Sequence, residues 1–183
     1  MIKLRRFHTP EVLAEIYQHP YDPTRWVEHK TRIRRTIEIT QALIDQHDLK
    51  SVADLSCGDC SIIGSLNIKS KITGDITNDR SIEDALRDRV WPDVDLFICT
   101  ETIEHLEAPW TVLERIAETT RWLVLSTPLD EDPAIGNYEH YWSFTQDDVQ
   151  SMILTAGFVD LELHVLAEPG WTYTYQLWTG RTV

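Results

Sequence analysis

Residues 94–107, VDLFICTETIEHLE, constrain the fold more than any other stretch of the chain. Apolar residues fill positions 94–99 except for Asp95, as expected for a strand that is buried on both faces of a parallel sheet. Polar residues follow directly. Because ligands of open α/β sheets bind beyond the carboxyl ends of the strands, we expect a functional site here. Its candidate residues are Thr100, Glu101, Glu104 and His105.

Short apolar runs alternate with amphipathic stretches along the rest of the chain, which predicts a parallel sheet with right-handed crossovers. Strands are expected at 51–55, 71–76, 94–99 and 122–126, and helices at 60–66, 81–87, 110–120 and 146–156. Two last strands, 159–166 and 172–179, flank Gly170 and predict an antiparallel hairpin. The predicted fold class is therefore α/β: a single Rossmann-like doubly wound sheet, mostly parallel, with a C-terminal antiparallel hairpin.

Residues 1–48 lack the alternation of strands and helices that is predicted for the remainder, and they predict a helical cap within the same domain. Residues 49–183 are expected to form the Rossmann-like core of that domain. A helix is expected at 24–46, after an amphipathic piece at 10–18 and a Pro-rich link at 19–23. Residues 1–35 carry eight Lys and Arg against four acids, and the rest of the chain carries nine against twenty-six. The acidic body disfavours binding to duplex nucleic acid, although the basic arm could hold a nucleotide or an RNA end.

Three cysteines and the absence of an apolar signal segment predict a reducing cytoplasm rather than a disulfide framework. The sequence also has no apolar run of membrane-spanning length, so no membrane association is expected. Residues 57–60 nevertheless form a C-x-x-C motif, which leaves redox chemistry or half of a zinc site as alternatives. The sequence does not specify an oligomeric state.

Residues 51–63, SVADLSCGDCSII, predict a strand, a tight turn and a helix. Asp54 can brace the turn, and Gly58 lets the backbone approach a ligand closely. Together with residues 94–107, this segment resembles the class I S-adenosylmethionine-dependent methyltransferases. In that family Asp-x-Gly-x-Gly-x-Gly follows a strand and wraps the amino-acid end of the cofactor. The same register here contains Asp54, Ser56, Gly58 and Cys60.

Later blocks of the chain resemble the same family. Residues 100–105, TETIEH, resemble the end of its fourth strand, and residues 123–128, LVLSTP, resemble its fifth strand. HYWSFT at 140–145 and AGF at 156–158 resemble its late block. The general appearance, including Trp26, His29 and residues 176–178, also resembles small methyltransferase-like proteins of phages.

The resemblance implies an enzyme that uses S-adenosylmethionine to methylate a small molecule, a nucleotide or a nucleic-acid end. The implied cofactor-binding residues are Asp54, Ser56, Cys57, Gly58, Asp75, Ile76, Thr100 and Glu101. Asp75 has the spacing of the acid that holds the cofactor ribose. Counted back from Glu101, however, the same Asp75 falls at the end of the family's third strand, near the adenine. We therefore expect a sheet that lacks one strand-helix unit.

A base assists methyl transfer when the acceptor is a hydroxyl or a protonated amine, and His140, His105 and Glu101 are the catalytic candidates. Helical spacing predicts that Glu101, Glu104 and His105 share one face. With His140 they resemble the metal set of metal-dependent RNA 3′-terminal ribose 2′-O-methyltransferases, which stay an alternative. Many metal-free members of the larger family carry the same Glu-x-x-Glu-His, so we expect no metal. Because Ser56 and Cys60 replace glycines, a noncatalytic cofactor-binding or interaction protein is a further alternative.

Overall fold

The computed structural model describes residues 1–17, 27–77, 80–135 and 137–183. In chain order its strands are β1 (Ile2–Lys3), β2 (Ser51–Asp54), β3 (Ser70–Thr73), β4 (Val94–Thr100), β5 (Thr120–Leu129), β6 (Trp142–Ser143), β7 (Phe158–Leu166) and β8 (Thr174–Thr182). The α-helices are α1 (Pro10–Ile16), α2 (Val27–His47), α3 (Ser61–Ser65), α4 (Ile82–Asp88), α5 (Pro109–Thr119) and α6 (Gln146–Ala156). Two 3₁₀ turns span Ile103–His105 and Pro133–Ile135.

Six of these strands form one sheet, in the order β3-β2-β4-β5-β8-β7. The strand pairs from β3 to β5 are parallel, whereas β8 is antiparallel to both β5 and β7. The predicted mostly parallel α/β sheet with a C-terminal antiparallel hairpin is therefore confirmed.

The central strand β4 is buried on both faces, as its apolar sequence predicts. Phe97 and Cys99 pack on one face of the sheet, in a cluster that includes residues of α4, α5 and α6. Leu96 and Ile98 pack on the other face, in a cluster that includes residues of α2 and α3. All four side chains are fully buried. The parallel pairing of β4 with β2 and β5 sets its direction and so places its polar carboxyl end at the same edge of the sheet as theirs.

Helix α6 has the predicted bounds, and Gly157 ends it with a φ of 108°. Strand β5 extends beyond the predicted 122–126, because β8 pairs with it as far as Leu129. The sequence prediction missed the small sheet in which β1 pairs antiparallel with β6. The first residues therefore join a strand pair, and no strand was predicted for this part of the helical cap. The predicted link at 19–23 and Trp26 lie outside the described residues.

Strand β3 lies at an edge of the six-stranded sheet, directly beside β2. In the described chain, only α4 separates β3 from β4. Asp75 therefore follows the strand next to β2, which decides between the two positions that the sequence left open for it. The described residues contain no helix that is both long and apolar enough to cross a membrane.

Candidate functional site

A cavity of about 670 Å³ opens beyond the carboxyl ends of β2, β3, β4 and β5. Cavities of this size are typical of small-molecule and cofactor sites. The structure brings all the predicted site residues to its lining: Asp54, Ser56, Cys57, Gly58, Asp75, Ile76, Thr100, Glu101, Glu104, His105 and His140. Residues of the N-terminal region also line it, namely Ile16, Tyr17, His29, Arg32 and Ile33.

The turn between β2 and α3 is attached to the end of β3 by backbone hydrogen bonds. The Gly74 amide donates to the carbonyl of Asp54 at 2.9 Å, and the Cys57 amide donates to the carbonyl of Gly74 at 3.0 Å. Inside the turn, Asp54 Oδ1 accepts from the backbone amide of Ser56 at 3.0 Å and from its hydroxyl at 3.3 Å. Asp54 therefore braces the turn, as predicted.

The Asp75 carboxylate connects the two strand ends. Its Oδ2 accepts from the Gly58 amide at 2.9 Å, and its Oδ1 accepts from the amide and hydroxyl of Thr77 at 3.0 and 2.8 Å. Burial, reinforced by the charge of Asp75, raises the pKa of Asp54 to about 7, although hydrogen bonds from Ser56 oppose the shift. The two acids thus differ in role: Asp75 holds the loop at the cavity wall, and Asp54 lies beneath it.

A disulfide joins Cys57 and Cys60 within this turn. It is one local bridge inside the C-x-x-C motif rather than a framework between distant elements. The third cysteine, Cys99, is free and fully buried in β4.

Glu101 begins the loop after β4 with a φ of 52°, in the left-handed region. Its Oε1 accepts from the Ser126 hydroxyl at 2.7 Å and lies 3.9 Å from Nη1 of Arg32. Burial raises the pKa of Glu101, and the charge of Arg32 opposes that shift. The prediction that helical spacing puts Glu101 on one face with Glu104 and His105 is wrong, because only residues 103–105 form a helical turn and that turn is 3₁₀.

Glu104 is 1% exposed and lines the same cavity as Glu101. Its Oε2 accepts from the Thr127 hydroxyl at 2.9 Å. Within the described chain its Oε1 has no hydrogen-bond partner. Burial, together with the charge of Glu101, raises the pKa of Glu104. A buried carboxylate oxygen without a donor is costly, so this atom is a candidate contact for a ligand or a cation.

Glu131 is a site residue that the sequence analysis missed. Its Oε2 lies 2.5 Å from Nδ1 of His140. Asn137 determines the tautomer of this ring: its Oδ1 accepts from the Glu139 amide at 3.0 Å, so its amide nitrogen is the atom 3.0 Å from His140 Nε2. Nε2 of the neutral ring is therefore the acceptor, and Nδ1 donates to Glu131. Burial raises the pKa of Glu131 to about 7 and lowers that of His140 to about 3.

A sequence signal for Glu131 was present. The predicted β5 stopped at residue 126, whereas the strand continues to Leu129. With the correct end, Glu131 is a strand-end acid just as Glu101 is after β4. Tyr173 and Tyr175 are buried and also line the cavity.

His105 completes a cluster with Glu104 and His140. Its Nδ1 lies 3.1 Å from the carbonyl of Glu139, and its ring meets the His140 ring edge-on, with centroids 4.7 Å apart. Burial and the neighbouring His140 lower the pKa of His105 to about 3. One ligand atom from each cluster residue lies within 4.8 Å of the others. A carboxylate and two neutral imidazoles form a donor set that suits a divalent transition metal, and Glu101 is outside it.

Comparison with known proteins identifies the fold. The sequence matches no protein-family model and no curated protein. Solved structures match, however, including the magnesium protoporphyrin IX methyltransferase of Synechocystis with bound S-adenosylmethionine. It is 15% identical with a TM-score of 0.61, and the alignment covers 94% of this chain and 90% of that one.

Two other similar structures contain S-adenosylhomocysteine. The N-methyltransferase NodS of Bradyrhizobium japonicum is 12% identical, with 87% of this chain and 89% of that one covered and a TM-score of 0.64. The 1,6-didemethyltoxoflavin-N1-methyltransferase of Burkholderia thailandensis is 15% identical, with 98% and 92% covered and a TM-score of 0.64. The chain has the fold of the class I S-adenosylmethionine-dependent methyltransferases. At these identities the likeness establishes the methyltransferase fold alone.

Gly74 tests how tightly the cavity wall is packed. A Cβ at this position would overlap the backbone carbonyl oxygen of Arg80, so Gly74→Ala must displace the segment that carries Asp75. We expect this variant to lower the free energy of unfolding by about 1–3 kcal/mol in urea denaturation. Gly64→Ala is the matched control, since a Cβ there meets nothing within 4 Å. The control should be neutral or stabilising, and an equal loss in both variants would contradict the close approach at Gly74.

Proposed function

We propose that this protein is an S-adenosylmethionine-dependent methyltransferase that acts on a small molecule, a nucleotide or a nucleic-acid end. The observation that carries the proposal is the cavity wall in which the Asp54 turn and the Asp75 carboxylate converge, connected by the Gly58 amide. The fold supports the proposal, since similar structures hold this cofactor or its demethylated product.

The lining residues fit the parts of this cofactor. Asp54, Ser56, Cys57 and Gly58 form the turn proposed to hold its amino-acid end. Asp75 Oδ2 accepts from the Gly58 amide and can receive one ribose hydroxyl as well, whereas Oδ1 already accepts twice from Thr77. Ile76 is 39% exposed beside Asp75 and offers an apolar surface to a base. Thr100 and Glu101 line the cavity at the end of β4.

S-adenosylmethionine supplies a methyl group on a sulfonium, which an acceptor takes by in-line displacement. The protein's task is then to align the acceptor and to exclude water. We assign Glu101, His105 and His140 to the acceptor end of the cavity. His105 Nδ1 donates to the Glu139 carbonyl, so its neutral Nε2 is the imidazole nitrogen that can accept a proton from an acceptor hydroxyl or amine. Nε2 of His140 already accepts from Asn137, and Glu131 at Nδ1 orients that ring beside His105. Tyr17, His29 and Arg32 of the N-terminal region close this end and are proposed to select the acceptor.

Calorimetric titration with S-adenosylhomocysteine tests the cofactor assignment. We expect saturable binding by the wild type and a loss of about 10–100-fold in Asp75→Ala, because a charge-assisted hydrogen bond to the ribose is removed. Asp93→Ala is the matched control, since Asp93 is exposed and precedes β4 at the opposite edge of the sheet. Wild-type protein that fails to bind at millimolar ligand would overturn the proposal and favour the interaction protein.

The pH dependence of the same titration tests Asp54. Its raised pKa, about 7, means that the carboxyl is largely neutral at pH 6 and largely ionised at pH 7.5. If the ionised form attracts the ammonium group of the ligand, affinity should rise about eightfold over this interval. Asp54→Asn keeps an oxygen for the Ser56 amide but cannot ionise, so its affinity should be lower and nearly constant with pH. An unchanged slope in Asp54→Asn would assign the titration to another group.

A metal-dependent methyl transfer to a terminal ribose is the second candidate function. The observation that favours it is the cluster of Glu104, His105 and His140, with its unpartnered Glu104 Oε1. Each imidazole is also oriented from outside the cluster, His140 by Glu131 and His105 by the Glu139 carbonyl. Metal-binding histidines commonly have such outer partners. Glu104, His105 and His140 would hold a divalent cation, which would offset the buried negative charge and supply a Lewis acid at the acceptor end of the cavity.

Metal binding separates the two candidates. If the metal-dependent function is correct, the purified protein should bind Mn²⁺ or Zn²⁺ in calorimetry. Glu104→Gln should weaken that binding by about tenfold or more, because the anionic ligand is lost. Glu107→Gln is the matched control on the exposed side of the same loop. Methyl transfer should also stop with chelator and return with metal. Equal metal affinity in Glu104→Gln and Glu107→Gln would reject the cluster as a metal site.

A further inference from the structure

Cys60 has a φ of 57°, in the left-handed region that favours glycine. It also stands where the pattern described for the cofactor turn has its last glycine. A side chain with a Cβ makes this conformation less favourable, and a covalent bridge to a neighbouring residue is one constraint that can hold it there. The structure contains one, since Cys60 is bridged to Cys57.

The bridge closes the same turn that forms the proposed cofactor wall. The Cys60 amide donates to the carbonyl of Cys57 at 2.6 Å, and the Cys57 amide donates to Gly74. Between the two cysteines, the Gly58 amide donates to Asp75 Oδ2. The backbone of Cys60 therefore belongs to the same hydrogen-bonded turn as the amide that connects it with Asp75.

We propose that Cys57 and Cys60 form a thiol–disulfide site that controls the affinity of the cavity for its cofactor. The bridged form holds Cys60 in the left-handed conformation and keeps the Gly58 amide on Asp75. In the reduced form Cys60 returns to negative φ and the turn rearranges. The Gly58 amide then no longer donates to Asp75, and the cavity wall is no longer arranged to bind the cofactor. The inference rests on the proposed function, because the controlled ligand is the proposed cofactor.

The two cysteines are accessible for this exchange, and the third is not. Cys57 and Cys60 are partly exposed, whereas Cys99 is fully buried. Burial also raises the pKa of the Cys99 thiol, which lowers its reactivity. Reaction with a soluble thiol or disulfide is thus confined to the pair in the turn.

A glutathione-type disulfide can serve as the oxidant that converts the Cys57 and Cys60 thiols into the bridge. The thiolate of one cysteine attacks that disulfide, forms a mixed disulfide and releases one glutathione thiolate. The second cysteine then attacks the cysteine sulfur of the mixed disulfide and releases the second glutathione. Two electrons pass from the protein dithiol to the glutathione disulfide, and the two thiol protons end on the two glutathione molecules. A dithiol reductant reverses the reaction.

The test compares calorimetric titrations with S-adenosylhomocysteine after treatment with oxidised glutathione and after treatment with dithiothreitol. We expect the reduced wild type to bind about tenfold more weakly, since it must restore the left-handed Cys60 on binding. Cys99→Ala is the matched control and should keep the full response to reductant. Equal affinity of the oxidised and reduced wild type would overturn the inference.

Cys60→Gly gives the sharper result. Glycine adopts the left-handed conformation without a bridge, so this variant should bind as tightly as the oxidised wild type in both treatments. Cys60→Ser lacks both the bridge and the conformational freedom, and it should bind weakly in both. If Cys60→Gly bound no better than Cys60→Ser, the left-handed conformation would not be the element that the bridge controls.

Hydrogen exchange of the Gly58 amide separates failure of this inference from failure of the proposed function. Stronger protection of this amide in the oxidised wild type and in Cys60→Gly than in the reduced wild type supports the control of the turn, even if no form binds S-adenosylhomocysteine. Stronger protection without binding would reject S-adenosylmethionine as the cofactor but would still support the thiol–disulfide site. Equal protection in all forms would reject the thiol–disulfide site itself.

Discussion

The site depends on the two-sided burial of β4. Its side chains alternate between two apolar clusters and are removed from water on both faces, while its pairing with β2 and β5 sets its register. Its parallel neighbours β2 and β5 end at the same edge, and β3 ends there beside β2. Residues far apart in sequence, such as Asp54, Glu101 and His140, therefore surround one cavity.

Burial also sets the charge state of that cavity. Glu101, Glu104 and Glu131 have raised pKa values because they lie in a poorly solvated region, while His105 and His140 have lowered ones for the same reason. The site therefore resists both negative charge on its acids and positive charge on its imidazoles. A proton, an acceptor hydroxyl or a cation that enters is bound by groups that are only weakly hydrated, which strengthens each contact.

The sequence was sufficient to predict the sheet and most of the site, because apolar runs and strand-end polar residues are local signals. It placed Asp54, Asp75 and Glu101 at one cavity, as the structure does. It did not find Glu131, since the end of β5 is set by pairing with β8, which no local pattern reveals. For the same reason it missed the pairing of β1 with β6. The left-handed backbone of Glu101 is likewise not indicated by any local pattern.

The pairing of β1 with β6 makes the first residues of the chain part of the cavity's support. The Leu4 amide donates to the carbonyl of Tyr141, and Arg5 Nε donates to the carbonyl of His140 at 2.8 Å. His140 is thus anchored through its backbone by a segment more than a hundred residues away in the chain. Removal of residues 1–5 would therefore remove the hydrogen bond that anchors the backbone of His140, although no residue of the cavity lining would be altered. For the same reason, an affinity tag is better fused after Val183 than before Met1.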